Sequence, residues 1–203
     1  MNGIWGKKIG MTQLFVSDEK LVPVTVIDLN NWVITGHKTV ERDGYDAVQV
    51  SYIRPKYQDQ SFDLAWLAHK GRYFMLSREI ACAGNKPELG TPLTPDVLGA
   101  NDIVDARGIS IGRGFAGVIK RYGFSGGRSS HGGKLGRRPG SLSFMRRQGR
   151  VIKGKRMPGH YGVTQHCIRN ITVVQVDPVA RLVMIKGSTP GKAGSWVELR
   201  KRG

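Results

Sequence analysis

Acidic residues are missing from one long stretch of this 203-residue sequence: from Ala106 to Val176 there is no Asp or Glu, although 15 occur elsewhere. That absence excludes from the stretch any site that holds magnesium or a ribose through carboxylates. Cysteine is scarce as well. Cys82 and Cys167 stand far apart with no CxxC pair, which argues against a disulfide framework or a cysteine-based zinc fold and fits reduced, buried thiols. Long apolar runs are also lacking; Leu21 to Ile27 is typical of the longest, far below the ~18 residues that cross a bilayer as a helix. Near the N-terminus Lys7 and Lys8 fall where a secretory signal needs an unbroken apolar region. The chain is therefore expected to be soluble and cytoplasmic, with no membrane partner.

What the sequence has in excess is positive charge. Lys and Arg number 32 against 15 acids, a formal net charge of +17 with a pI near 10.3. The acid-free stretch holds 15 Lys/Arg and 15 Gly, whereas the other 132 residues carry 17 basic and 15 acidic groups. Nearly all the excess thus belongs to one segment. A charge this one-sided repels itself unless a polyanion neutralises it, which points to nucleic acid or an anionic membrane surface, with an acidic protein as a weaker third choice.

The flanks read as ordinary globular protein, and 39% hydrophobic residues suffice for one modest core. Short β-type runs cover Val22 to Leu29, Trp32 to Thr39 and Tyr45 to Tyr52, with Asp43-Gly44 as a turn. Beyond the basic segment, Thr172 to Val176 and Arg181 to Lys186 bracket Asp177-Pro178, and Trp196 to Arg200 forms a last strand. Many short strands at this spacing predict a mainly β fold, a barrel or a sandwich. Helices are predicted over Phe62 to Lys70, with Ser61 as N-cap, and over Phe115 to Tyr122. The basic segment is then an insertion between strands, too poor in apolar periodicity to offset its own ordering entropy, and is expected to be ordered by its partner.

Several motifs in the insertion invite chemistry. Gly112 to Gly117 matches GxGxxG, but the acid that should follow about 20 residues on is absent, and kinase signatures are missing too. Gly149 to Arg156 nearly matches a P-loop, with Arg156 where Ser or Thr should ligate magnesium. Glycine beside Lys and Arg fits backbone lying against phosphates. His131, His160, His166 and Cys167 lack a recognised metal-ligand spacing. Phe115, Tyr122, Phe124 and Tyr161 interleave with the cations either as base-stacking platforms or as local packing, and Phe144, without a core pattern around it, reads as a contact residue. A merely solvated face would mix signs, which this segment does not.

Taken together, Gly6 to Thr12 (GKKIGMT), Gly112 to Gly123 (GRGFAGVIKRYG), His131-Gly132, Arg138 to Ser141, Arg150 to Gly162 (RVIKGKRMPGHYG) and Lys186 to Gly191 (KGSTPG) resemble, in order and spacing, the bacterial family of ribosomal protein three of the large subunit. The resemblance implies a translation-factor-type β-barrel over 1–105 and 163–203, a small α/β portion at about 55–96, and a basic rRNA-penetrating extension over 106–162. It implies no enzymatic activity, no cofactor and no small-molecule substrate. It further implies binding to 23S rRNA near its 3′ end, nucleation of subunit assembly, an approach to the peptidyl-transferase centre, and large-subunit proteins fourteen and nineteen as neighbours. The residues expected to bind rRNA are Lys7, Lys8, Arg113, Lys120, Arg121, Arg128, His131, Lys134, Arg137, Arg138, Phe144, Arg146, Arg147, Arg150, Lys153, Lys155, Arg156 and His160. At the loop tip, residues 143–148 depart from the family's smaller, more polar run. Arg146 stands where some relatives carry an N-methylated glutamine, so that modification is expected to be absent. The competing readings are a nucleotide-using enzyme and an architectural DNA-binding protein.

Overall fold

The computed structural model describes residues 1–17, 20–82, 84, 86–143 and 149–202. In chain order its strands are β1 (Gly3–Ser17), β2 (Lys20–Asp28), β3 (Trp32–Lys38), β4 (Ala47–Ile53), β5 (Phe74–Ala81), β6 (Ile103–Ile109), β7 (Phe115–Ala116), β8 (Gly159–His160), β9 (Gln165–Asp177), β10 (Leu182–Lys186) and β11 (Trp196–Lys201). Short helices are α1 (Val40–Asp43), α2 (Lys70–Tyr73) and α3 (Val118–Tyr122). The chain divides into two compact units, residues 1–109 with 165–203, and residues 110–164.

The first unit is mainly β, as its alternating apolar runs require. Strands β1, β11, β6, β9, β10 and β2 pair antiparallel in that order, and β2 returns to β1, so the six close into a barrel. Period-two alternation sends Ile4, Val104, Ala106, Val173, Val183, Ile185, Val197 and Leu199 inward, all fully buried or nearly so. Each large aliphatic buried this way contributes about 1.5–3 kcal/mol. Gly6 continues the inward row, because a Cβ there would run into the Ile27 side chain and come within 3.0 Å of Leu29 Cδ2.

Strands β3, β4 and β5 form a second antiparallel sheet. Its Trp32, Ile34, Val48, Val50 and Ile80 join the barrel residues in one core. Trp32 is central to an aromatic cluster, with ring centroids 5.6 Å from Tyr52, 5.5 Å from Trp196 and 6.4 Å from Trp5. Buried hydroxyls on this sheet satisfy one another, Thr35 to Ser51 at 2.7 Å and Ser51 to Ser77 at 2.8 Å. A smaller cluster holds Val33, Ile53, Trp66 and Phe74, with Tyr73 stacked flat on Trp66 at 4.9 Å.

Several local expectations are corrected. The helix over Phe62 to Lys70 is a 3₁₀ turn over Leu64–His69 followed by the single turn of α2. Its cap is Asp63, whose carboxylate accepts from Ala65 N at 3.0 Å, rather than Ser61. Asp43-Gly44 is a turn, but Gly44, at φ +82°, closes the short helix α1 instead of a two-residue hairpin. The helix over Phe115 to Tyr122 begins only at Val118, because Phe115 and Ala116 are drawn into pairing with β8.

Candidate nucleic-acid interface

The second unit, Ser110–Thr164, is built on a narrow two-stranded ladder. Ser110 N donates to Thr164 O at 2.9 Å, Arg113 N to Tyr161 O at 2.8 Å and Tyr161 N to Gly114 O at 2.9 Å. Phe115 and Ala116 then pair with His160 and Gly159. Helix α3 follows and ends at Gly123, whose φ of +73° gives the left-handed C-terminal turn that glycine adopts without strain. Among the described residues of this unit only Ala116 and Val118 are buried. The rest of its backbone is fixed by turns, such as Gly127 N to Gly136 O at 2.7 Å and Arg138 N to Leu135 O at 3.1 Å.

Thirteen Lys and Arg and no acid lie between Ser110 and Thr164. Arg113, Lys120, Arg128, His131, Lys134, Arg137, Arg138, Arg150, Lys153, Lys155, Arg156 and His160 are exposed, and Arg121 is half-buried. Ion pairs among the described residues, Lys38 and Arg42 with Asp43, Lys86 with Asp46 and Lys201 with Asp102, all belong to the first unit. The Lys201 ammonium and the Gly99 N–H hold the Asp102 carboxyl below its ordinary range. Among the described residues no ion pair involves the second unit.

Aromatic rings organise some of these cations. The Arg121 and Arg156 guanidinium carbons lie 5.0 and 5.6 Å from the Tyr122 ring centroid, and that of Arg113 lies 5.4 Å from Tyr161. Arg121 is further fixed by donating Nη1 to Met157 O at 2.9 Å. Tyr122 and Tyr161 thus pack against guanidinium groups of their own unit. Phe115, by contrast, is 77% exposed and offers a free ring. Phe144, Arg146 and Arg147 lie outside the described residues.

The two lysines of the N-terminal motif part company. Both sit on β1, where neighbours face opposite ways. Lys7 is half-buried, but Lys8 follows Ile4 and Gly6 on the inward side and is only 8% exposed. Its ammonium donates to Thr189 O at 2.9 Å and Gly191 O at 3.1 Å, and burial pushes its pKa down. Lys8 thus anchors the loop between β10 and β11 and is removed from the expected RNA-binding set. Replacing it as Lys8→Met should lower the stability of the chain by about 1–3 kcal/mol through the carbonyls left without a donor, read from urea unfolding. RNA affinity should be unchanged; a drop matching that of an exposed-cation variant such as Lys120→Ala would return Lys8 to the interface.

Arg107, counted in the basic segment, lies instead on β6 of the first unit. There it shares a cavity with Trp5, Trp196 and Glu198, a grouping that only the sheet register creates.

The chain is similar throughout its length to known proteins. The sequence model of the family described as Ribosomal protein L3 matches residues 67–181. The protein named "Large ribosomal subunit protein uL3" from Syntrophus aciditrophicus is 41% identical over 202 residues, covering 98% of this chain and 92% of its own length. Its namesake from Pelobacter propionicus is 43% identical over 201 residues, covering 98% and 96%. That from Geotalea daltonii is 39% identical over 202 residues, covering 98% and 95%.

Proposed function

Because this chain belongs to the ribosomal protein L3 family, and so is a structural, cytoplasmic constituent of the ribosome and not an enzyme, we propose that it binds 23S rRNA through its basic insertion. The observation that carries this reading is the set of exposed cations on Ser110–Thr164, a segment without an acid and, among the described residues, without an ion pair. Phosphate oxygens are the complementary acceptors. A narrow, glycine-rich, nearly coreless segment also suits the space between RNA helices, since glycine lets backbone approach phosphates closely.

In this reading the barrel, of the kind shared with translation factors, stays at the subunit surface over 1–109 and 165–203, and the sheet of β3, β4 and β5 replaces the α/β portion expected at about 55–96. The extension, residues 110–164 where 106–162 was expected, reaches toward the peptidyl-transferase centre. Contacts come from Lys7 and from the exposed cations of the extension, together with Phe144, Arg146 and Arg147. Binding falls near the 3′ end of the rRNA and nucleates assembly, beside large-subunit proteins fourteen and nineteen.

Crosslinking in cells, followed by sequencing of the attached RNA and identification of the attached peptides, tests the proposal. Crosslinks should concentrate in the 3′ portion of large-subunit rRNA and run through peptides of 110–164. Crosslinks scattered over many RNAs, or displaced equally well by duplex DNA, would defeat it in favour of general polyanion binding.

A further inference from the structure

The outer wall of the barrel carries a cavity of 420 Å³, lined from the first unit alone, within the ~300–1,000 Å³ range of small-molecule sites. Sheet register assembles it. Trp5, Glu198 and Arg107 are side by side across β1, β11 and β6. Trp196 lies two residues before Glu198 on the same face, and Gln165 two residues before Cys167, the partner of Arg107. The alternate residues Ile4, Val197, Leu199 and Ala106 fill the core, so this row points outward. Arg78 of β5 completes the wall, with its guanidinium carbon 5.5 Å from the Trp5 ring centroid.

Glu198 is the unusual member. In a chain with twice as many cations as acids, and with Arg107 as its register neighbour, its carboxylate forms no ion pair among the described residues. A half-buried carboxylate beside guanidinium donors and indole walls, around an unfilled space, matches the requirements of one heterocycle. Indole rings stack on a base; a carboxylate accepts from adjacent ring and exocyclic N–H groups; guanidinium donates to neighbouring ring-nitrogen and carbonyl acceptors. Guanine alone among the four bases presents N1–H with N2–H₂ on one edge and O6 with N7 on another. Adenine would turn its N1 acceptor toward Glu198, and cytosine offers the carboxylate only its N4 amine.

We propose, on the premise that the chain binds rRNA, that this cavity receives an unstacked guanine base, with Glu198 accepting from N1–H and N2–H₂ and Arg107 donating to O6 or N7. Two experiments separate the source of the base. In equilibrium dialysis of the full chain against 5′-GMP, AMP, CMP and UMP, GMP should bind best, and Glu198→Gln should weaken GMP by about ten-fold or more while leaving AMP unchanged. Arg107→Gln should weaken GMP as well, and an unaltered thermal midpoint shows that each variant is folded. In assembled large subunits, kethoxal, which attacks N1 and N2 of unpaired guanine, should spare one guanine that becomes reactive when the subunits carry Glu198→Gln. Protection of such a guanine assigns the site to RNA; GMP capture without it assigns the site to a free guanine nucleotide. No base preference, a preference for cytosine, or indifference to Glu198→Gln overturns the proposal. If rRNA affinity persists in that case, the RNA-binding reading stands; if wild type also fails to bind rRNA, both fall.

Discussion

Raising salt from 50 to 200 mM is expected to weaken binding of the chain to a fragment from the 3′ region of 23S rRNA by about 10³- to 10⁵-fold, the range for 6–10 phosphate contacts. The magnitude follows from where the cations are. A lysine already paired with a carboxylate releases little on meeting a phosphate, whereas an unpaired exposed one displaces a condensed counterion for each contact. Apart from the half-buried Arg121, the described cations of Ser110–Thr164 are of the second kind. Filter binding across a salt series gives the slope directly, and each exposed Lys or Arg changed to Ala should reduce it by about one contact. A flat slope would mean that the segment does not meet phosphates.

Excision of the insertion should have an effect of comparable size and the opposite selectivity. Ile109 of β6 and Gln165 of β9 are register partners, so a short turn containing Asn-Gly can join them in place of residues 110–164. All six barrel strands and the sheet of β3, β4 and β5 are retained. The shortened chain should unfold cooperatively with a thermal midpoint within a few degrees of the full chain. It keeps 19 basic and 15 acidic residues, and its rRNA affinity at 50 mM salt should fall at least about 10³-fold. Retained affinity would place the main RNA surface on the barrel. Loss of cooperative unfolding would show that the barrel needs its insertion.

The contrast between the halves was visible in the sequence because it depends on counting charge. The strand at β4 was legible but not its faces: Val48, Val50 and Tyr52 are buried, and so are Ala47 and Ser51 of the alternate row, because both sides of this strand are covered. β1 was not, although its GKKIGMT run carries part of the family resemblance. Two glycines and two lysines hide its period, and the register shift between Lys8 and Gly10 breaks it further. Reading Ile4, Gly6 and Lys8 as one inward row would have separated Lys8 from Lys7. Helix extent failed for another reason. At Phe115 the pairing with His160 comes from 45 residues away, a competitor that no local propensity reveals. The cavity around Glu198 joins β1, β5, β6, β9 and β11, and side chains so far apart in sequence carry no shared local pattern.

The pairing of β1 with β11, Gly3 opposite Arg200, also sets an order of events during synthesis. The first strand cannot find this partner until β11, the last strand in chain order among the described residues, has been made, and contacts of such separation are slow to form. The basic insertion is translated well before β11. In the proposed reading, RNA meets the extension while the barrel is still an open sheet, and closure of the ring between β1 and β11 is the later step.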